Sequence, residues 1–356
     1  MLRIMATSTV EPRVRAHDAR PTTSRDRRGR QPAPGLVACA AGVAGAWGVH
    51  RMAGVVPLLT AALLLGVLTV NTGLLPEATR AGTRFAATTL MRAGVVLLGL
   101  QVALGDIAGL GWQTIVMTVV VLLATLFGTR WLGHRMGLSA RMSLLVASGF
   151  AICGASAVAA VKGVLGERAA DDETERDAAT AVALVTLCGT LAIAVMPAAG
   201  HLLGLSAYDE GRWIGASVHD VGQVVATATV VGPAALVPAV AVKLIRVAML
   251  APVTAAIAVR TRRGAGSGTR RAAVPPVFLL GFLAMVAVRA TGTVPHAALD
   301  AASTTKDVLF AAALFGLGSA VRLGPLLRTG RRALLLGLAS WALVAGVSYA
   351  GVLLTG

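Results

Sequence analysis

The sequence predicts an all-α membrane protein of about eleven transmembrane helices: one leading helix, then two inverted five-helix repeats with broken helices. Three observations carry this. Of 356 residues, 56% are apolar and only 13% charged, with mean hydropathy +0.77, whereas about a quarter of a soluble domain is charged. After Pro34 eleven apolar runs follow one another closely, most near the ~20 residues that a bilayer-crossing helix needs. The basic residues between them alternate in density, as loops on opposite sides of a membrane do. This composition excludes a water-soluble enzyme of ordinary design. The net charge of +16 then concerns which side the positive loops face, and nucleic acid is not an expected partner.

Residues 1–34 hold eight arginines, three acids and four prolines. They read as a disordered basic cytoplasmic tail, able to touch anionic lipid, and not as a cleaved signal peptide. Residues 35–356 form the polytopic transmembrane domain. Its runs are approximately 35–50, 54–72, 85–105, 111–131, 141–165, 178–200, 211–231, 236–259, 274–291, 301–321 and 332–354. The first is short. The fourth is the clearest, with Trp112 and Trp131 as interfacial anchors about one hydrocarbon thickness apart.

With the tail inside, loops after even-numbered runs should be basic. Arg130, Arg135 and Arg141 follow the fourth run; Arg260, Arg262, Arg263, Arg270 and Arg271 follow the eighth; Arg322, Arg328, Arg331 and Arg332 follow the tenth. The fifth loop, expected outside, carries Glu167, Asp171, Asp172, Glu173, Glu175 and Asp177. Only the sixth loop, with Asp209, Glu210 and Arg212, fails to vote. The expected topology is N-in and C-out.

A leading helix plus two repeats of five accounts for eleven, and five-span repeats must be inverted relative to each other. The fifth run then corresponds to the tenth. The fifth contains Gly154-Ala155-Ser156 and the tenth Gly316-Leu317-Gly318-Ser319, so breaks are expected at Gly154–Ser156 and Gly316–Ser319. Unwound backbone there would face a substrate; the alternative is that these small residues only let helices pack closely. Gly215-Ala216-Ser217 in the seventh run resembles the fifth but would run parallel to it.

Ionisable groups at membrane depth are the best functional pointers. The seventh run holds Ser217, His219, Asp220 and Gln223, the last three able to share one helix face; the eighth holds Lys243 and Arg246, three apart. Asp220 either neutralises one of these cations as a buried pair or serves substrate or proton. An antiporter of hard cations would concentrate carboxylates, and only Asp220 lies clearly at depth. Two cations with exposed helix N-termini suit an oxyanion better. Lys162 and Arg92 read as snorkelling residues, and Lys306 and Asp307 as a local pair or an entry ring. Cys39, Cys153 and Cys188 read as buried thiols, and no cluster suggests a metal site or cofactor.

Several segments carry a family resemblance: Gly94-Val95-Val96-Leu97-Leu98-Gly99-Leu100; Cys153 to Ala160; Gly215-Ala216-Ser217-Val218-His219-Asp220-Val221-Gly222-Gln223 and on to Ala226; and Val242-Lys243-Leu244-Ile245-Arg246-Val247. They resemble the YeiH-like bacterial multi-pass membrane proteins, which carry a sulfate-exporter label. The resemblance covers residues 35–356; the basic tail lies outside it, and many relatives carry Glu where this chain has Asp220. It implies a plasma-membrane transporter with crossed broken helices, distantly related to the cation/proton antiporters and bile-acid symporters. The expected function is export of a small anion, sulfate or sulfonate-like, by alternating access in a bacterial cell membrane. Lys243 and Arg246 would hold the anion. His219, Asp220, Gln223 and Ser217 would orient it or carry a coupled proton or sodium, and Gly154, Ser156, Gly318 and Ser319 would supply backbone contacts and a hinge. A homodimer is compatible with this reading. The alternatives are a proton- or sodium-coupled cation antiporter and, more remotely, an intramembrane enzyme, for which no nucleophile motif is present.

Overall fold

A computed structural model describes residues 32–53, 57–102, 110–165, 172–262, 277–320 and 331–356. The basic tail up to residue 31, the arginines at 263, 270, 271, 322 and 328, and the acids Glu167 and Asp171 lie outside the described residues. The described chain is helical, with no strand. In order come α1 (Ala33–Ala53), α2 (Leu58–Asn71), α3 (Glu77–Gln101), α4 (Gly111–Arg135), α5 (Ala140–Ala151), α6 (Ala155–Leu165) and α7 (Asp172–Leu202). They are followed by α8 (Ala207–Ser217), α9 (Val221–Val231), α10 (Pro233–Ala248), α11 (Leu250–Arg262), α12 (Val277–Ala290), α13 (His296–Ser319) and α14 (Arg331–Thr355). Six helical stretches are long and apolar enough to cross a membrane: α1, α3, α4, α7, the pair α10–α11, and α14.

The fifth apolar run is not a through-going helix. Arg141, at the start of α5, pairs with Glu173 at 2.8 Å and Asp177 at 3.1 Å, while Lys162, near the end of α6, pairs with Glu175. All three acids lie on the first turns of α7. A straight helix would separate Arg141 from Lys162 by about 30 Å, so α5 and α6 must fold back on each other. A Cβ on Gly149 would meet Val158 at 3.0 Å, which places the two arms in contact. The reversal uses Gly154 at φ +70°, a conformation that costs glycine no Cβ clash.

The seventh run reverses too. Gly211 packs on Ala235 and Pro238, and Gly215 on Ala239 and Val242, so α8 and α10 run in the same direction. Only Gly232 joins the end of α9 to the start of α10. α9 must therefore retrace the length of α8, and α8–α9 is a second helical hairpin.

The two hairpins start from opposite ends of α7. The first is tied to Glu173 and Asp177, and the second begins where Glu210 packs on Gly200. Their tips meet beside the middle of α7: Val185 lies 3.1 Å from the Cβ position of Gly154, and Gln223 covers Gly189.

This corrects two expectations. The acids of the fifth loop were expected on the opposite face from Arg141, but Glu173 and Asp177 pair with it, because the hairpin returns the chain to its starting face. Each hairpin returns the chain to the end of α7 from which it set out. The sixth loop, whose charges failed to vote, lies at the end of α7 opposite to Arg141. The second correction concerns the tenth run. α13 is continuous through Gly316, Gly318 and Ser319, so no break exists there. A Cβ on Gly318 would meet the Leu63 carbonyl at 2.3 Å and one on Gly316 the Thr83 carbonyl at 2.4 Å. These glycines permit close helix contact, and the Ser319 hydroxyl donates within its own helix to Gly316 O at 2.7 Å. The element matching the fifth run is the seventh, entering from the other end.

Candidate functional site

A hairpin tip at membrane depth creates a physical problem. The last turn of a helix leaves its carbonyls without intrahelical partners, and lipid offers none. Here α5 ends at Ala151 and α8 at Ser217, two such ends side by side in the interior. The residues that resolve this come from α10.

Arg246, fully buried, reaches both ends. Its Nε donates to Ala151 O at 3.0 Å, and its Nη2 to Phe150 O at 2.5 Å and Ala151 O at 2.8 Å. Its Nη1 donates to Ala216 O at 2.6 Å, Val218 O at 3.3 Å and Gly215 O at 3.5 Å. The five N–H groups of a guanidinium thus all find backbone acceptors. Lys243, one turn earlier and also fully buried, donates to Ile152 O at 2.7 Å and Val218 O at 3.0 Å, leaving one N–H. The cations expected to hold an anion are thus the clamp that joins the two tips. A helix C-terminus carries about half a negative charge, which is why two unpaired cations tolerate this depth.

Asp220 forms no ion pair with either cation. It caps α9: its Oδ2 accepts from Gly222 N at 2.9 Å, and Gln223 Oε1 accepts from Asp220 N at 3.2 Å, the reciprocal arrangement of a capping box. Gln223 Nε2 donates to Thr186 O of α7 at 3.3 Å. Ser217 donates to Trp213 O at 2.5 Å. His219 is different. It is fully buried, its ring 4.3 Å from that of Phe150, and neither nitrogen has a partner of ordinary hydrogen-bond geometry, although the Phe150 backbone approaches it. An orphaned imidazole in the interior costs free energy.

The N-terminal ends of the returning arms are accessible. Ala155 and Ser156, opening α6, are exposed, and Asp220 and Val221, opening α9, are half-buried. A Cβ on Gly154 would lie 3.7 Å from that of Asp220, so the two ends adjoin. The structure therefore brings together Gly154, Ser156, Ser217, His219, Asp220, Gln223, Lys243 and Arg246. Gly318 and Ser319 are turned elsewhere, toward α2 and their own helix.

Charges at the tips can be summed to order of magnitude. The half-charges at two C-termini and two N-termini cancel, and Lys243, Arg246 and Asp220 leave about one positive charge. With orphan amides at an accessible surface, that arrangement complements an anion. The carbonyl-to-guanidinium bonding was not visible in the sequence, because spacing of Lys243 and Arg246 shows which face they share and not that two helix ends converge on it.

The family described as conserved hypothetical protein 698 matches residues 34–337. A UPF0324 membrane protein of Corynebacterium glutamicum is 41% identical over 325 residues, covering 90% of this chain and 92% of the relative. The UPF0324 membrane protein TauZ of Paracoccus pantotrophus is 35% identical over 305 residues, covering 84% and 89%. No solved structure matches.

Proposed function

The chain belongs to the family described as conserved hypothetical protein 698, with UPF0324 membrane proteins as its relatives, and on that premise we propose that it is a secondary transporter of a small anion, sulfate or sulfonate-like, in a bacterial cell membrane, with its N-terminus cytoplasmic. The observation that carries the reading is the meeting of two oppositely entering hairpins whose C-terminal carbonyls are saturated by Lys243 and Arg246. What stays available is positive: the first amides of α6 and the Ser156 hydroxyl, in the field of the two buried cations; the first amides of α9 are taken by Asp220. Helix N-termini at mid-protein, offered to an anion, are the pattern of carriers built from discontinuous helices.

In this mechanism the anion sits between Ala155–Ser156 and Val221. It is held by backbone amides and by the field of the two buried cations rather than by their direct contact. Because each hairpin is tied to one end of α7, rocking of the tip pair against the remaining helices exposes the site first to one side and then to the other.

The second reading, cation antiport, is disfavoured by the same observation. The carbonyls at the half-helix C-termini, which would coordinate a hard cation, are occupied by Lys243 and Arg246. We propose no enzymatic activity. The test is counterflow of labelled sulfate in proteoliposomes, against a panel of sulfonates, carboxylates and monovalent cations. Saturable anion counterflow is the expected result; sodium-dependent cation flux without anion movement would overturn the proposal.

A further inference from the structure

Arg92 has the properties of a ligand-binding residue: a charge at membrane depth whose one contact among the described residues is with an aromatic ring. It lies well inside the 25-residue apolar stretch Glu77–Gln101, where a charge is costly and is retained for a reason. Its side chain is exposed, and it forms no hydrogen bond or ion pair with any described residue. By contrast, Lys243 and Arg246 are fully buried and bonded, and Lys306 is held by Gln101 at 2.8 Å and Asp307 at 3.1 Å.

Its position is fixed from two sides. The guanidinium lies 5.7 Å from the centroid of the Phe278 ring. Phe278 in turn packs against an apolar cluster that holds the tip residues Ile152, Cys153 and Ala157 together with Leu122, Val247 and Leu250, so Arg92 lies on the side of the molecule where the hairpin tips are. On the preceding residue, Met91 Cε lies 3.2 Å from the Cβ position of Gly222, in the first turn of α9. Arg92 also feels the charge of Asp220, yet is not close enough to pair with it. A π turn at Ala86–Leu90 immediately precedes; such turns rotate the residues that follow and recur at functional sites.

We infer that Arg92 is the side chain that contacts the transported anion directly, completing the site formed by the N-terminal ends of α6 and α9. The inference rests on the anion-transport reading above. It assigns the specific cationic contact to α3, outside both hairpins, and leaves Lys243 and Arg246 as the clamp. A guanidinium offers paired N–H donors to an oxyanion. It raises the excess positive charge at the site from about one to about two, so its removal should matter more to a dianion than to a monoanion.

The test uses the full chain in proteoliposomes with labelled sulfate, alongside methanesulfonate as a monovalent oxyanion. Arg92→Gln is expected to raise the half-saturation concentration for sulfate at least tenfold, and that for methanesulfonate several-fold less, with the maximal rate per folded protein little changed. Arg92→Lys should recover part of the sulfate loss. In a background without native cysteines, Arg92→Cys should react with an impermeant thiol reagent and be protected by sulfate. Unchanged half-saturation in Arg92→Gln, or an equal loss for both anions without rescue by Lys, overturns the assignment while leaving the transport reading intact. Absence of flux of either anion through the wild-type protein overturns the transport reading, and the assignment falls with it. If Arg92→Gln fails to reach the membrane, sulfate protection of Arg92→Cys decides the matter, and unprotected labelling counts against it.

Discussion

Arg246 and Ala151 are joined by two hydrogen bonds, from Nε at 3.0 Å and Nη2 at 2.8 Å to one carbonyl. The same guanidinium holds Ala216 on the other hairpin at 2.6 Å. One side chain thus closes the ends of two helices that enter from opposite ends of α7, and the arrangement cannot be reproduced by a shorter or single-pronged group. Arg246→Leu should orphan several buried carbonyls, each worth about 1–3 kcal/mol. The expected outcome is loss of folded protein, or a thermal midpoint so low that little monodisperse protein survives detergent extraction, as read by fluorescence-detected size exclusion. Arg246→Lys should be only partly tolerated. A well-folded, thermally unaltered Arg246→Leu protein that loses flux alone would instead make Arg246 a direct substrate ligand.

Asp220 makes a different prediction, because its role as a cap needs an acceptor oxygen and not a charge. Asn caps about as well as Asp, whereas Ala loses about 1 kcal/mol. Asp220→Asn should therefore melt close to wild type and Asp220→Ala measurably lower. Comparable melting of the two variants would mean that the capping bond to Gly222 contributes nothing at this site.

What was legible in the sequence followed from one-dimensional signals. The apolar runs, the basic loops and the charged cluster around Asp220 and Lys243 all stood out because composition and spacing encode them directly. The reversals were not legible. A run of 25 residues such as 141–165 has the length to cross, and only the pairing of Arg141 and Lys162 with one turn of α7 reveals that it turns back. The tenth run shows the converse: Gly316, Gly318 and Ser319 have the composition of a break, and are glycines and serine because α2 and α3 lie against them. Arg92 reads from the sequence as a snorkelling residue, because Phe278, over whose ring its guanidinium lies, is distant in sequence.

Gly318 provides a direct test of that packing account. A methyl group there would lie 2.3 Å from the Leu63 carbonyl, closer than any real contact, and the obstacle is backbone. Gly318→Ala should destabilise by about 1–3 kcal/mol, the usual range for overpacking, while the folded fraction keeps the wild-type half-saturation for sulfate. A stable variant with altered transport kinetics would return Gly318 to the list of hinge residues.

The hairpin reversal is the structural claim on which sidedness and mechanism both depend, and cysteine chemistry can decide it without knowledge of substrate. In a background lacking Cys39, Cys153 and Cys188, Arg141→Cys and Lys162→Cys sit near the same end of α7, since their native side chains reach Asp177 and Glu175 there. In a through-going helix these positions would be about 30 Å apart, on opposite membrane faces. Both should therefore react with an impermeant thiol reagent from one and the same side. Tyr208→Cys, beside the start of the second hairpin, should react only from the other, because Arg212 there bonds Thr355 at the end of α14 whereas Arg332 at its beginning lies near Gly137. Bifunctional thiol reagents of about 10 Å span should link positions 141 and 162 within one chain. Labelling of 141 and 162 from opposite faces would restore the eleven-crossing topology and remove the tip-to-tip site on which the proposed transport cycle is built.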